Sequence, residues 1–310
     1  MTYIKNLASD QWTEMVYSFR NKNSIRQIFS TILKYLGIMW IIVEPSSFFI
    51  SSLEDFYQEY WLLGIIPILV AGIYFGRPNL SAISKIRGTD ASIEIRVGDL
   101  FDQEGALIIA APTSFDTSLE DGTISEKSIQ GQYTKRFCDC ENLNQQIEKS
   151  IEDDKHITMD KSEKPYGKSK IYPPGTVAIV SCNGKKAYFV ALATLNKHKV
   201  AHLDPKILLD ALPVMWKNIN EKGDRDPISV AILGSGYSRL KVTRQELVME
   251  IVKSFVAAVK SGCFCDKLSV VISKSDYRDG MVDFDRLREF LEYVCKYGDN
   301  PGTERSGTAI

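Results

Sequence analysis

Apolar residues are distributed along this chain in two regimes. From Tyr60 to Gly76 they run together: Tyr-Trp-Leu-Leu-Gly-Ile-Ile-Pro-Ile-Leu-Val-Ala-Gly-Ile-Tyr-Phe-Gly contains 17 residues and no charge. That is the lower limit for a helix crossing the hydrocarbon core of a membrane. Aromatic rings at both ends suit the two interfaces, and Pro67 is tolerated where lipid surrounds a helix. An earlier stretch, Tyr35 to Leu53, is apolar but broken by Glu44-Pro45. Either this span starts near Ile25 and takes in Lys34, or Glu44 lies inside a helix bundle. The pattern predicts a two-helix transmembrane hairpin with spans at about 26–50 and 60–76, within a membrane region covering residues 1–88.

After residue 88 the pattern changes to short apolar runs separated by helical periodicity. Ile93 to Val97 alternates with period two and reads as a half-exposed strand, and Ala106 to Ala111 is fully apolar and reads as a central one. Ser125 to Gln132 begins a helix, whereas the charged segment Glu141 to Ser169 reads as a solvated helix end and loop. A strand from Tyr172-Pro173-Pro174-Gly175 to Cys182 turns at Asn183-Gly184 and returns over Lys186 to Ala193, a hairpin signal. Asp204-Pro205 opens a helix over Lys206 to Asn220. Ile228 to Leu233 is a buried strand ending in Gly234-Ser235-Gly236, and Thr243 with Glu246 caps a helix over Leu247 to Lys260. A strand at Leu268 to Ile272 and a helix from Asp283 to Tyr297 follow. Strands alternating with helices predict an α/β domain over residues 89–297, a mixed sheet with helices on both faces. Residues 298–310 read as a flexible tail.

Charge placement orients the hairpin. Lys5, Arg20, Lys22, Arg26 and Lys34 precede it and Arg77, Lys85 and Arg87 follow, while the connection carries Glu44, Glu54, Asp55 and Glu59 and no cation. The positive-inside rule then places both termini and the α/β domain on the cytoplasmic side of a membrane and the acidic connection outside. A net charge of −1 gives no pull towards nucleic acid. Six cysteines include two Cys-x-Cys pairs without a neighbouring histidine, so no metal set is expected and the thiols are expected reduced. None of the three histidines pairs in sequence with a nucleophile, so no catalytic residues are expected.

The site signal is the turn after Leu233. Gly234 and Gly236 permit backbone conformations closed to other residues and bring bare N–H groups towards a ligand, an arrangement that suits phosphate oxygens. With Gly98-Asp99-Leu100 after the first strand and Leu233-Gly234-Ser235-Gly236 later, the order of elements resembles the macro domain, a family that binds ADP-ribose. The resemblance covers roughly residues 92–296. It implies that Asp99, with Leu100, holds adenine. It also implies that the diphosphate lies between a first loop, Ser125, Ser128, Gly131 and Gln132, and a second, Gly234, Ser235, Gly236, Tyr237, Ser238 and Arg239. By location alone Tyr277 would pack against the base.

Hydrolytic macro domains carry an asparagine-rich segment after the central strand. This chain has Ala110-Ala111-Pro112-Thr113 followed by Ser114, Phe115, Asp116 and Thr117, which favours binding over hydrolysis. Asp116 is expected to read a cationic or amine group on the ligand. A divergent macro domain behind two membrane helices is similar to the effector of type II Thoeris antiviral defence. That resemblance implies a nucleotide second messenger made by a TIR-domain partner, an ADP-ribose derivative linked to histidine, with no cofactor. It further implies homo-oligomerisation on activation, contact with membrane lipid, and membrane disruption leading to abortive infection. Two other readings are an ADP-ribosyl hydrolase and a membrane tether for a protein partner.

Overall fold

A computed structural model describes residues 22–49, 51–77, 79–160, 162, 164–196, 198–234, 242–262 and 264–298. It divides into two compact units at Leu80 and Ser81.

The first unit consists of α1 (Lys22–Phe49) and α2 (Ser51–Phe75). Ile25–Ser46 is long and apolar enough to cross a membrane, and only 6% of its most apolar window is covered by protein. The apolar stretch of α2, Gly64–Phe75, is shorter, and the helix is kinked at Tyr60 (φ −113°, ψ 22°). The two helices pack together through glycines four residues apart. A Cβ on Gly72 would stand 2.2 Å from Cγ1 of Ile32, and one on Gly76 would stand 2.7 Å from Cα of Ile28. Small residues at this spacing let two helix backbones approach closely.

The second unit is built on one mixed sheet. Its strands are β1 (Ser81–Lys85), β2 (Ser92–Gly98), β3 (Ala106–Pro112), β6 (Val177–Cys182), β7 (Lys185–Leu195), β9 (Ile228–Ala231) and β10 (Lys267–Ser273). They lie in the order β1-β2-β10-β9-β3-β7-β6. The five inner strands are parallel, with Lys267 opposite Ser92 and Leu107 opposite Ala187, and the two outer strands are antiparallel to their neighbours. Asn183 (φ 48°) and Gly184 (φ 75°) form the turn between β6 and β7, where two left-handed residues match the strand twist. A two-residue strand β8 (Ala201–His202) folds back on the end of β7, and β4 (Ile157–Thr158) pairs with β5 (Lys170–Ile171).

Helices cover both faces. Against one lie α3 (Ile129–Phe137) and α4 (Cys140–Ser150), whose Tyr133, Leu143 and Ile147 share a core with Leu107, Ile109 and Phe189. Successive strand residues point to opposite faces, so Tyr188 turns the other way and meets Gly223 at the end of α5 (Pro205–Lys222). Beside α5 packs α6 (Arg244–Ser261), a short α7 (Lys274–Arg278) follows β10, and α8 (Phe284–Tyr297) packs against α6. Trp216 of α5 stacks edge-on to Phe255 of α6 and donates its indole N–H to Ser254 at 2.9 Å. Two caps fall where expected, Asp204 on α5 and the Thr243–Glu246 capping box on α6, and Asp283 caps α8.

The structure corrects several expectations. The sheet begins at Ser81, not at residue 89, because β1 closes its edge. With β1 in place β2 is interior, and its Glu94 is 7% exposed, held by Lys267 at 2.6 Å and Ser81 at 2.7 Å. The charged segment from Glu141 contains α4, whose Leu143 and Ile147, with Ile151, recur every four residues on one buried stripe. The thiols are not all reduced: Cys138 and Cys182 form a disulfide joining the end of α3 to the end of β6. The expected tail, residues 298–310, lies outside the described residues save Gly298.

Candidate functional site

A cavity of about 630 Å³ opens where β3, β9 and β10 end, on the carboxyl edge of the parallel strands. In open α/β sheets this edge is the place for a ligand, since the connections diverge there and leave a crevice. Its floor is apolar, with Ala110, Pro112, Ala231 and Leu233 among the lining residues.

One wall is the entry to α3. The Ser128 hydroxyl accepts from the N–H of Gly131 at 3.0 Å and donates to the carbonyl of Ser125 at 2.6 Å, which closes the cap. Only glycine fits at 131, because a Cβ would sit 2.3 Å from that carbonyl. Gln130 fastens the turn from inside by donating to the Asp116 carbonyl at 2.8 Å.

A second wall is the hairpin between β7 and β8, which contributes Lys199, Val200 and Leu203. Lys199 has φ 60°, a left-handed conformation uncommon for a residue with a long side chain. Its ammonium lies 3.3 Å from the Asp121 carboxylate on the adjoining turn. The backbone N–H of Thr123 is the main reason the Asp121 carboxyl lies well below the usual carboxylate range, with the Thr123 hydroxyl and Lys199 adding to it and the small loss of solvent opposing.

The third wall joins the glycine turn to the end of β10. Gly234 has φ 81°, open to glycine and strained for a β-branched residue. Arg244, the first residue of α6, pairs with Asp276, and both line the cavity. Ser273 and Ser275 complete this side.

Of the residues expected from sequence, Ser125, Ser128 and Gly234 line this cavity. Ser235, Gly236, Tyr237, Ser238 and Arg239 lie outside the described residues. The others are placed elsewhere. Asp99 caps the short 3-10 turn at Leu100–Asp102, accepting from the N–H of Phe101 at 3.0 Å, and its other oxygen faces Arg136 at 3.4 Å. Leu100 is in the core. Phe115, with φ 50° and no exposure, packs edge-on to Tyr172. Asp116 is 2% exposed and pairs with Lys164 at 2.7 Å, so its charge is matched from within the protein. Ser114 donates to that same carboxylate, and Thr117 is buried beside it in sequence. Gly131 shapes the wall from behind, Gln132 donates to the carbonyl of Lys127 at 3.0 Å, and Tyr277 is buried edge-on to Phe284.

Ser114 and Phe115 border a different cavity of about 600 Å³, together with Glu148, Lys168 and Tyr172. It lies away from the glycine turn, so the first cavity is the better candidate for a phosphorylated ligand. Sequence reasoning passed over Lys199 and Asp276. The left-handed position at 199 is itself a lysine, although Asn196 opens the turn by accepting the N–H of Val200 at 3.0 Å, and Asp276 follows the strand it serves by only three residues.

The family model for the macro domain of Thoeris protein ThsA matches residues 93–273. Thoeris protein ThsA of Bacillus amyloliquefaciens (strain Y2) is 24% identical over 208 residues, which span 64% of this chain and 68% of that protein. Among solved structures, the Oceanobacillus iheyensis macrodomain with ADP is 14% identical with a TM-score of 0.46, over 70% of this chain and all of that one. The Trypanosoma brucei macrodomain in complex with ADP-ribose is 10% identical with a TM-score of 0.39, over 65% of this chain and 68% of that one. The match to well over half of the chain, across the sheet whose edge bears the cavity, places this protein in the Thoeris ThsA macro-domain family.

Proposed function

We propose that this chain is a membrane-anchored receptor for an ADP-ribose-derived signal in bacterial antiviral defence. The observation that carries the reading is the cavity at the carboxyl edge of the sheet, bounded by the α3 entry and the Gly234 turn. Backbone N–H groups at a helix start and a glycine turn suit a diphosphate, and the apolar floor suits a base or ribose face. A histidine conjugate of ADP-ribose, made by a TIR-domain partner, is the ligand we assign. The chain acts by binding, without cofactor or catalysis; the lack of asparagine from Pro112 to Thr117 and the engagement of Asp116 by Lys164 support this.

The apolar exposed stretch Ile25–Ser46 and the closely packed α1–α2 pair support a membrane anchor in the bacterial inner membrane, with the macro domain cytoplasmic. Ligand binding gathers copies of the chain and the assembled helices disrupt the bilayer, ending in abortive infection. Such a switch requires the ligand to favour the assembled state by about 5 kcal/mol to move a population from almost wholly off to almost wholly on.

Calorimetry of the full-length protein in lipid nanodiscs with ADP-ribose, its histidine conjugate and NAD tests the reading. Saturable binding of the conjugate, weakened by Gly234→Val, is expected. No heat with either ADP-ribose compound would remove it.

A further inference from the structure

Three cationic residues line the cavity, Lys127, Lys199 and Arg244, and the last two are each held by an acid: Lys199 by Asp121 at 3.3 Å, and Arg244 by Asp276. We propose that Lys199 and Arg244 are the charge partners of the ligand's diphosphate, and that Asp121 and Asp276 compete with the ligand for them. The inference rests on the reading of the cavity as a diphosphate nucleotide site and adds which side chains meet the charge.

Three features carry it. Lys199 sits in a left-handed conformation at the tip of the β7–β8 hairpin, a strain that persists where surrounding structure fixes the side chain for a purpose. Its ammonium lies over the Tyr166 ring, 5.4 Å from the ring centre, so the charge rests on an aromatic face rather than extending into water. Both cations remain in part accessible, with 30% of the Lys199 side chain and 32% of the Arg244 side chain exposed, so neither pair is sealed away from an arriving anion. An anion bound between them meets two positive charges from different walls. The cost is separation of two ion pairs, which at Asp121 is offset by the N–H and hydroxyl of Thr123 that it keeps.

This arrangement makes a prediction that a structural ion pair does not. If Lys199 and Asp121 only braced the wall, neutralising either would loosen the cavity, and affinity would change in the same direction. If they compete with the ligand, the two substitutions have opposite signs.

The experiment is calorimetric titration of full-length protein in nanodiscs with ADP-ribose and, separately, adenosine, for wild type, Lys199→Gln, Arg244→Gln, Asp121→Asn and Asp276→Asn. Each cation variant is expected to weaken ADP-ribose by roughly tenfold, the loss of one charge-assisted contact, while adenosine changes by less than about twofold. Asp121→Asn and Asp276→Asn are expected to tighten ADP-ribose. Retained adenosine binding reports an intact cavity. The inference is overturned if Asp121→Asn fails to tighten ADP-ribose, or if Lys199→Gln costs adenosine as much as ADP-ribose. Wild-type protein that binds neither compound, nor the histidine conjugate of ADP-ribose, would instead overturn the functional reading beneath it.

Discussion

Asp116 and Lys164 meet at 2.7 Å inside the macro domain, 48 residues apart in sequence and both under 10% exposed. The carboxylate also accepts the N–H of Lys168 at 2.7 Å and the hydroxyl of Ser114 at 2.5 Å, so one acid holds the loop after β3 to the segment at residues 164–168. Gly167 makes room for it, since a Cβ there would lie 2.2 Å from Oδ1. Breaking such a pair leaves a buried charge unmatched, which costs about 3–5 kcal/mol, whereas replacing both members by apolar groups costs less. Lys164→Met is therefore expected to lower the thermal midpoint by several degrees. The double variant Asp116→Leu with Lys164→Met is expected to recover part of that loss in the same unfolding scan.

Glu94 sets the response of the sheet to acid. Burial alone would raise its carboxyl, but hydrogen bonds from Lys267 and Ser81 and the charges of Lys267 and Arg96 outweigh that, and the group lies below its ordinary value. A depressed carboxyl adds stability that is present above the unfolded-state value, about 4.3, and is lost as pH falls towards the folded-state value. Unfolding midpoints measured from pH 7 down to pH 3 should therefore drop in the acid range. Glu94→Gln should be less stable at neutral pH and show a flatter acid limb; parallel curves for the two proteins would refute this role.

The glycines at 72 and 76 govern the first unit. Gly72→Val places a branched side chain where Cγ1 of Ile32 already lies within 2.2 Å of a single Cβ, so α1 and α2 must separate. Engineered cysteines at Tyr35 and Phe75, whose rings lie 6.2 Å apart, should be bridged readily by a short bifunctional thiol reagent with Gly72 intact and poorly in the valine variant. Equal cross-linking would mean that the close approach does not depend on Gly72.

Much of this architecture was legible in the chain. The strands at Ala106–Ala111 and Leu268–Ile272, the Asn183-Gly184 turn, the helix caps at Asp204 and Thr243 and the helix start at Asp283 all appear within a few residues of where pattern and cap chemistry put them. What escaped depended on partners distant in sequence. The five residues of β1 carry little apolar signal and become a strand by pairing with β2, which in turn buries Glu94. Around Leu143 and Ile147 the dense charge masks a four-residue repeat that is plain once α4 is seen against β6.

The site was legible in part for a related reason. Local chemistry located the Gly234 turn, and the family resemblance brought in Ser125 and Ser128, which close their cap between neighbouring residues. A position just past the central strand suggested that Asp116 faces a ligand, but only the fold supplies Lys164 to neutralise it. Lys199 and Asp276 reach the cavity through a hairpin tip and a short helix, placements that no local pattern encodes.

The central claim is that an ADP-ribose compound lodges at the carboxyl edge of the sheet, and hydrogen–deuterium exchange of the full-length protein with and without ADP-ribose tests it most directly. The account predicts slowed exchange around residues 122–131, 195–203 and 231–244, with residues 148–172 around the second cavity unchanged. Protection confined to residues 148–172, or absent throughout at saturating ligand, would contradict it.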